Sequence, residues 1–295
     1  MTRGSMHSQD VNGQVVVGVA RSTTARAAVD WAADAAARHG WPLCLVHAQE
    51  WPAGAAPKDR RDASDQAWAS HFRAAGQSVL DDLRDATAER LPGLPITTRL
   101  LDGRPTAVLR EVAEEASLLV VGGHRASGPG EALTFGTTGP ALVGHPPCPL
   151  VIVLHPASGF DPSGPVMVGL DGSAASATAL AFAIAEAAAW DADLLVVQVR
   201  RPHHGDWPER PQAQEPGTDL AAALAGLREK YPRVTVAQEV AVGNPTVRLA
   251  ERAAGARCLV VGSRGVGGFR GMVLGSTSRG LSHLAPGPLV VVPHR

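Results

Sequence analysis

Short runs of β-branched and aliphatic residues, each broken by glycine, serine or proline, alternate along the chain with longer stretches of helical periodicity. The run Val15-Val16-Val17-Gly18-Val19-Ala20-Arg21-Ser22 is answered by Val166-Met167-Val168-Gly169-Leu170-Asp171-Gly172-Ser173. Each reads as a buried strand feeding a helix N-cap. Alanine-rich helices are expected over Thr24–His39 and Ala175–Trp190, with Trp31 and Phe182 at one repeat position. Strands Leu43–Ala48 and Leu194–Val199 follow, each leading into a proline-rich loop, Gln49–Pro57 or Arg200–Gly217. The next helices are marked by Trp68, Phe72, Ala75, Val79 and Leu83, and by Leu220, Leu224, Leu227 and Tyr231, at helical spacing. Strands over Ile96–Leu101 and Val234–Val240 end at Gly103-Arg104-Pro105 and Gly243-Asn244-Pro245. There glycine ends the strand and proline supplies the first helical turn. Each copy closes with a strand (Leu118–Val121; Leu259–Val261), a glycine-rich loop, a helix and a last strand (Leu150–Leu154; Leu289–Val292).

The chain is therefore a tandem repeat of one α/β unit. Strands alternating with helices imply a parallel open sheet, and right-handed crossovers place helices on both faces. The first domain is expected over residues 14–156 and the second over 165–295, joined by the linker His155-Pro156-Ala157-Ser158-Gly159-Phe160-Asp161-Pro162-Ser163-Gly164. The polar segment Met1–Gly13 falls outside both.

Candidate chemistry concentrates in the loop of the second copy, Gly262-Ser263-Arg264-Gly265-Val266-Gly267-Gly268-Phe269-Arg270-Gly271-Met272-Val273-Leu274-Gly275-Ser276-Thr277-Ser278. Glycine lets backbone N–H groups approach an anion closely. The Ser276-Thr277-Ser278 cluster adds hydroxyl donors where a helix N-terminus presents free N–H groups and partial positive charge. Phosphate suits that arrangement; the competing reading is a plain turn with Ser276 as N-cap. Position favours the first, because open α/β sheets bind ligands outside the carboxyl ends of their strands. Asp171 ends the first strand of the same copy, where a carboxylate accepts from ribose or base donors, helps hold a divalent metal, or caps a helix. Arg264 and Arg270 are either bidentate phosphate donors or loop-solubilising charges.

The spacing Gly262-x2-Gly265-x9-Gly275-Ser276 matches the ATP-binding pattern of the universal stress protein family, and Asp171 and Gly243-Asn244-Pro245 stand in that family's places. The chain thus resembles a tandem universal stress protein from Val15 to Pro293. The resemblance implies a five-stranded parallel sheet of order 3-2-1-4-5 in each copy. It also implies adenine near Leu170, Asp171, Gly172 and the Val199 backbone. Ribose and phosphates would lie along Gly262, Ser263, Arg264, Gly265, Gly275, Ser276, Thr277 and Ser278, with Mg or Mn arriving on the nucleotide. The first copy departs from the pattern. Ala20 replaces Asp171, the second loop glycine is missing, Pro129 lacks an N–H, and Glu131 brings negative charge. Gly122, Gly136, Thr137 and Thr138 remain as a weaker anion site.

Composition narrows the rest. With 19% charged and 45% hydrophobic residues the chain reads as globular, and a net charge of −1 gives no reason to expect nucleic acid or an anionic membrane. No stretch approaches the roughly 20 apolar residues of a membrane span. Cys44, Cys148 and Cys258 sit in or beside apolar runs rather than in ligand pairs, which suits buried thiols in a reducing cytoplasm. No P-loop lysine or Gly-x-Ser-x-Gly elbow occurs, and His203-His204 reads as solvated loop. The expected function is a cytoplasmic ATP-binding regulator of stress or dormancy responses. Its partners would be a second tandem chain and a regulatory protein. The alternatives are a nucleotide-free interaction module and a slow ATPase.

Overall fold

The computed structural model describes residues 13–22, 24–51, 63–123, 138–144, 146–154, 161–200, 217–265 and 275–294. Lys58, Gly136, Thr137, His203, His204, Arg270 and the rest of loop segment 266–274 lie outside the described residues, as does linker segment 155–160.

The first repeat runs β1 (Val15–Gly18), α1 (Ala25–His39), β2 (Leu43–Gln49), α2 (Ala63–Arg90), β3 (Ile96–Asp102), α3 (Pro105–Ala113), β4 (Leu118–Gly123), α4 (Thr138–Val143), β5 (Leu150–Leu154). The second runs β6 (Val166–Leu170), α5 (Ala174–Ala189), β7 (Leu194–Arg200), α6 (Gly217–Lys230), β8 (Val236–Val242), α7 (Pro245–Arg252), β9 (Cys258–Gly262), α8 (Ser276–Leu284), β10 (Leu289–Val292). The ten described strands form one sheet, ordered β3-β2-β1-β4-β5-β10-β9-β6-β7-β8. Each half has the order 3-2-1-4-5. Pairing is parallel within a half and antiparallel only between β5 and β10, with Leu289 opposite Ile152 and Val291 opposite Leu150. All four are fully buried.

Both faces of the sheet's middle are covered, so β1, β4, β5, β6, β9 and β10 read as continuous apolar runs, while the edge strands β3 and β8 are half open and mixed in sequence. Side chains still alternate between faces. Val15, Val17, Val166 and Val168 pack with alanines of α1 and with Leu180 and Ile184 of α5. Val16 and Met167 pack with Leu109 of α3, Leu249 of α7 and Leu281 of α8. The third-strand turn is built alike in both halves: Gly103 (φ 140°) and Gly243 (φ 141°) each donate to the end of the neighbouring strand, at Gln49 O and Arg200 O. Glycine is favoured at that φ.

Two expectations shift. The core line of α2 runs through Leu80 and Thr87, both fully buried, while Trp68 is 40% exposed. Strand β8 starts at Val236 because Val234 is used in a turn, its N–H donating to Tyr231 O.

Candidate functional site

The strand order reverses between β6 and β9, which lie side by side, Val166 opposite Cys258. The helices leaving them, α5 and α8, lie on opposite faces, so a crevice opens at their strands' carboxyl ends. Leu170 is the last residue of β6 and 7% exposed; Asp171 beyond it is exposed. The Asp171 Oδ1 accepts the Ser173 N–H at 3.0 Å. The N-cap of α5 is Ser173, whose Oγ accepts from Ser176 N at 3.1 Å. Asp171 is thus not the cap, and its carboxylate stands at the strand end, one turn ahead of the helix.

Three glycines bring backbone into this crevice. At Gly262 an added Cβ would sit 3.0 Å from the carbonyl of Ala175, in the first turn of α5. At Gly265 it would collide with the Asp171 carboxylate. Gly275 begins α8, and its N–H donates to Ser263 O at 3.1 Å, so the two ends of the loop meet. Ser263 N in turn donates to Val292 O at the end of β10 (2.9 Å). The first-turn N–H groups of α5 and α8 lack intrahelical acceptors and flank the Gly262–Ser263 backbone.

Among the serines the structure divides the work. Ser278 is 2% exposed and its hydroxyl donates to Gly275 O (3.0 Å) and approaches Ser263 O (3.4 Å). Ser263 is also buried, at 6% exposure. Ser276 and Arg264 are exposed, and Thr277 and Gly265 are half-buried. Val199, next to last in β7, is half-buried against the α7–α8 side of the core. Gly172 takes a left-handed φ of 81°.

The first half differs at the same place. Ala20 stands after β1, and Thr24, 3% exposed, presents its Oγ1 to Gly122, where an added Cβ would lie 2.9 Å away. In the second half Ala175 faces Gly262 instead. Helix α4, beginning at Thr138, has 6 residues against 9 in α8. The roles of Thr24, Ala175 and Val292 carry no motif signal; only strand pairing brings them to the loops. Among the described residues no group of three or more His, Cys, Asp or Glu is placed to hold a metal, and no helix is long and apolar enough to cross a membrane.

Comparison with known proteins places these features in a lineage. The universal stress protein family model matches twice, over residues 12–153 and 163–293. The universal stress protein Rv2005c of Mycobacterium tuberculosis is 31% identical over 300 residues, covering 94% of this chain and 96% of that protein. A universal stress protein of Mycolicibacterium smegmatis is 33% identical over 294 residues, covering 95% and 97%. The crystal structure of a universal stress protein from Archaeoglobus fulgidus superposes with a TM-score of 0.65 at 17% identity, covering 96% of this chain and 97% of that one.

Proposed function

The chain belongs to the universal stress protein family, and on that premise we propose that it is a cytoplasmic, ATP-binding regulator of stress or dormancy responses whose second repeat holds the nucleotide. One observation carries the reading. The Gly265 backbone lies against the Asp171 carboxylate, so that an added Cβ would displace that side chain, beside a loop whose ends meet at the first turn of α8. Such a cradle supplies what a nucleoside triphosphate needs: an acceptor for ribose hydroxyls at Asp171, and N–H groups and hydroxyls for phosphate at Ser276 and Thr277. Gly275 gives its own N–H to Ser263 O, and its backbone without a side chain lets the phosphate come close. Gly262, Ser263 and Ser278 shape the backbone, exposed Arg264 is free to fork onto an outer phosphate, and adenine lies along Leu170, Gly172 and the Val199 backbone. Mg or Mn would arrive on the phosphates, with Asp171 the carboxylate nearest to them. The first repeat lacks the carboxylate and has Thr24 against Gly122, so it contributes little nucleotide binding. The thiols Cys44, Cys148 and Cys258 are buried and form no disulfide, which suits a reducing compartment.

In this reading ATP binding stabilises the fold by linkage, and the nucleotide-bound form engages a regulatory protein as a dimer of tandem chains. The test is denaturation of the purified chain with mass spectrometry of what is released, followed by calorimetry of variants. About one ATP per chain is expected. In Gly275→Val the Cβ lies 3.3 Å from Ser278 Oγ, a tight contact that a shift of a few tenths of an ångström in that hydroxyl relieves. Its methyls project toward the phosphate, so the fold should survive, checked by its melting curve, while ATP binding is lost. Asp171→Ala should cost about ten- to a hundred-fold in affinity, the worth of a charge-assisted hydrogen bond. Unchanged affinity in Gly275→Val would overturn the assignment, and released ADP in place of ATP would turn it toward a slow ATPase.

A further inference from the structure

The seam between the repeats carries a second cluster with unused binding capacity. Trp190 follows α5 and is 8% exposed. Over its rings lie two guanidinium groups, Arg38 of α1 at 4.3 Å from the ring centroid and Arg257, just before β9, at 4.7 Å. A guanidinium held over an indole face by cation–π attraction spends none of its N–H donors on that contact. Neither set of donors is used up. Arg257 Nε is buried and has no hydrogen-bond partner. Arg38 is exposed and makes no hydrogen bond or ion pair among the described residues.

The surrounding carboxylates make their hydrogen bonds to other groups. Asp34 accepts from Arg90 at 2.5 Å, and Asp161 accepts the Ser163 N–H at 2.8 Å. Glu186 holds His39 and the Trp190 indole N–H. Burial holds the Arg257 pKa below the ordinary guanidinium value and the nearby Arg38 adds to that, while Cys258, Asp161 and Asp34 act the other way.

We propose that Arg38 and Arg257, seated on Trp190, form an oxyanion site at the seam that takes inorganic phosphate. Both guanidinium groups lie over one indole and Arg38 acts electrostatically on Arg257, so a single tetrahedral oxyanion, with acceptors for two forks where one carboxylate serves a single fork, suits the pair. One arginine comes from each repeat, so an ion bound there ties the repeats together. The site is separate from the nucleotide crevice: Asp171 precedes one end of α5 and Trp190 follows the other, and 16 helical residues span about 24 Å.

The experiment is calorimetric titration of inorganic phosphate into the full chain carrying Gly275→Val, which blocks phosphate entry at the nucleotide crevice. One saturable site per chain is expected. Arg38→Gln and Arg257→Gln should each weaken it at least about tenfold, while ATP affinity in a chain with native Gly275 stays the same under Arg38→Gln. Absence of saturable binding up to about 10 mM phosphate, or binding in the arginine variants as tight as in their Gly275→Val parent, overturns the proposal. Should Arg257→Gln unfold, exposed Arg38→Gln decides alone. Phosphate bound normally by a chain with native Gly275 that binds no ATP would sink the nucleotide reading and leave this site standing.

Discussion

Removing the Glu186 carboxylate tests how the two repeats are held together. Glu186 lies in α5, 3% exposed, and has two partners. The Trp190 Nε1–H donates to Oε2 at 3.0 Å, and His39 Nε2, from α1 of the other repeat, donates to Oε1 at 2.9 Å. The His39 side chain is only 17% exposed and the Glu186 side chain 4%, so water screens this pair poorly. Glu186→Ala leaves a buried indole N–H without an acceptor, costing about 1–3 kcal/mol, and a half-buried imidazole unpaired, for a total of about 3–5 kcal/mol. His39→Ala leaves Glu186 its bond to Trp190 and should cost about 1–3 kcal/mol. Their double-mutant cycle should give a coupling of about 1–2 kcal/mol. Arg26→Ala is the control, since the Arg26–Asp30 pair is 50% and 36% exposed and should be worth less than about 0.5 kcal/mol. Urea melts followed by tryptophan emission read all of these. Glu186→Ala should also split one transition into two, because the lost contact joins the repeats. A coupling below about 0.3 kcal/mol, or a Glu186→Ala cost no larger than that of Arg26→Ala, would refute the reasoning.

Two further outcomes follow from particular residues. Burial first, and Glu186 second, push the Cys258 thiol far above its ordinary value of 9.0, against the pull of Arg257. The folded chain then keeps a proton that the unfolded chain loses above that value, so stability should fall as pH rises past it, by up to about 1.4 kcal/mol per unit. Denaturation midpoints across that range check this, and a slope unchanged by Cys258→Ala would refute it. Asp191 is the one described non-glycine residue with positive φ, at 50°, where the first repeat has Gly40 at 67°. Asp191→Gly should raise stability by about 0.5–1 kcal/mol, since relief of strain outweighs the extra freedom of the unfolded chain; a lower melting temperature would contradict that.

Much of the molecule is written in local pattern. Apolar runs buried on both sides announce parallel strands, and the strand-Gly-x-Pro-helix turns at Gly103 and Gly243 need only local backbone chemistry. The repeat, the alternation of elements and the glycine spacing were therefore legible along the chain. Helix faces were less so: α2 is long enough that Trp68, on the expected apolar stripe, lies 40% exposed while the buried line passes through Leu80 and Thr87. The candidate site divides in the same way. Asp171 and Gly265 can each be singled out by type and position, but their contact exists only because β6 and β9 pair. Nothing in the run Ser276-Thr277-Ser278 says that the third hydroxyl turns inward while the first faces solvent. The seam was the least legible part, for His39, the Glu186–Trp190 pair at the end of α5, and Arg257 stand in three separate stretches of ordinary sequence. They meet because the edges of β5 and β10 would otherwise expose unpaired N–H and C=O groups, and joining those edges brings α1 against α5. Local propensity decides which segments are strands and helices; which distant side chains share a buried space is decided only when the sheet closes its edges.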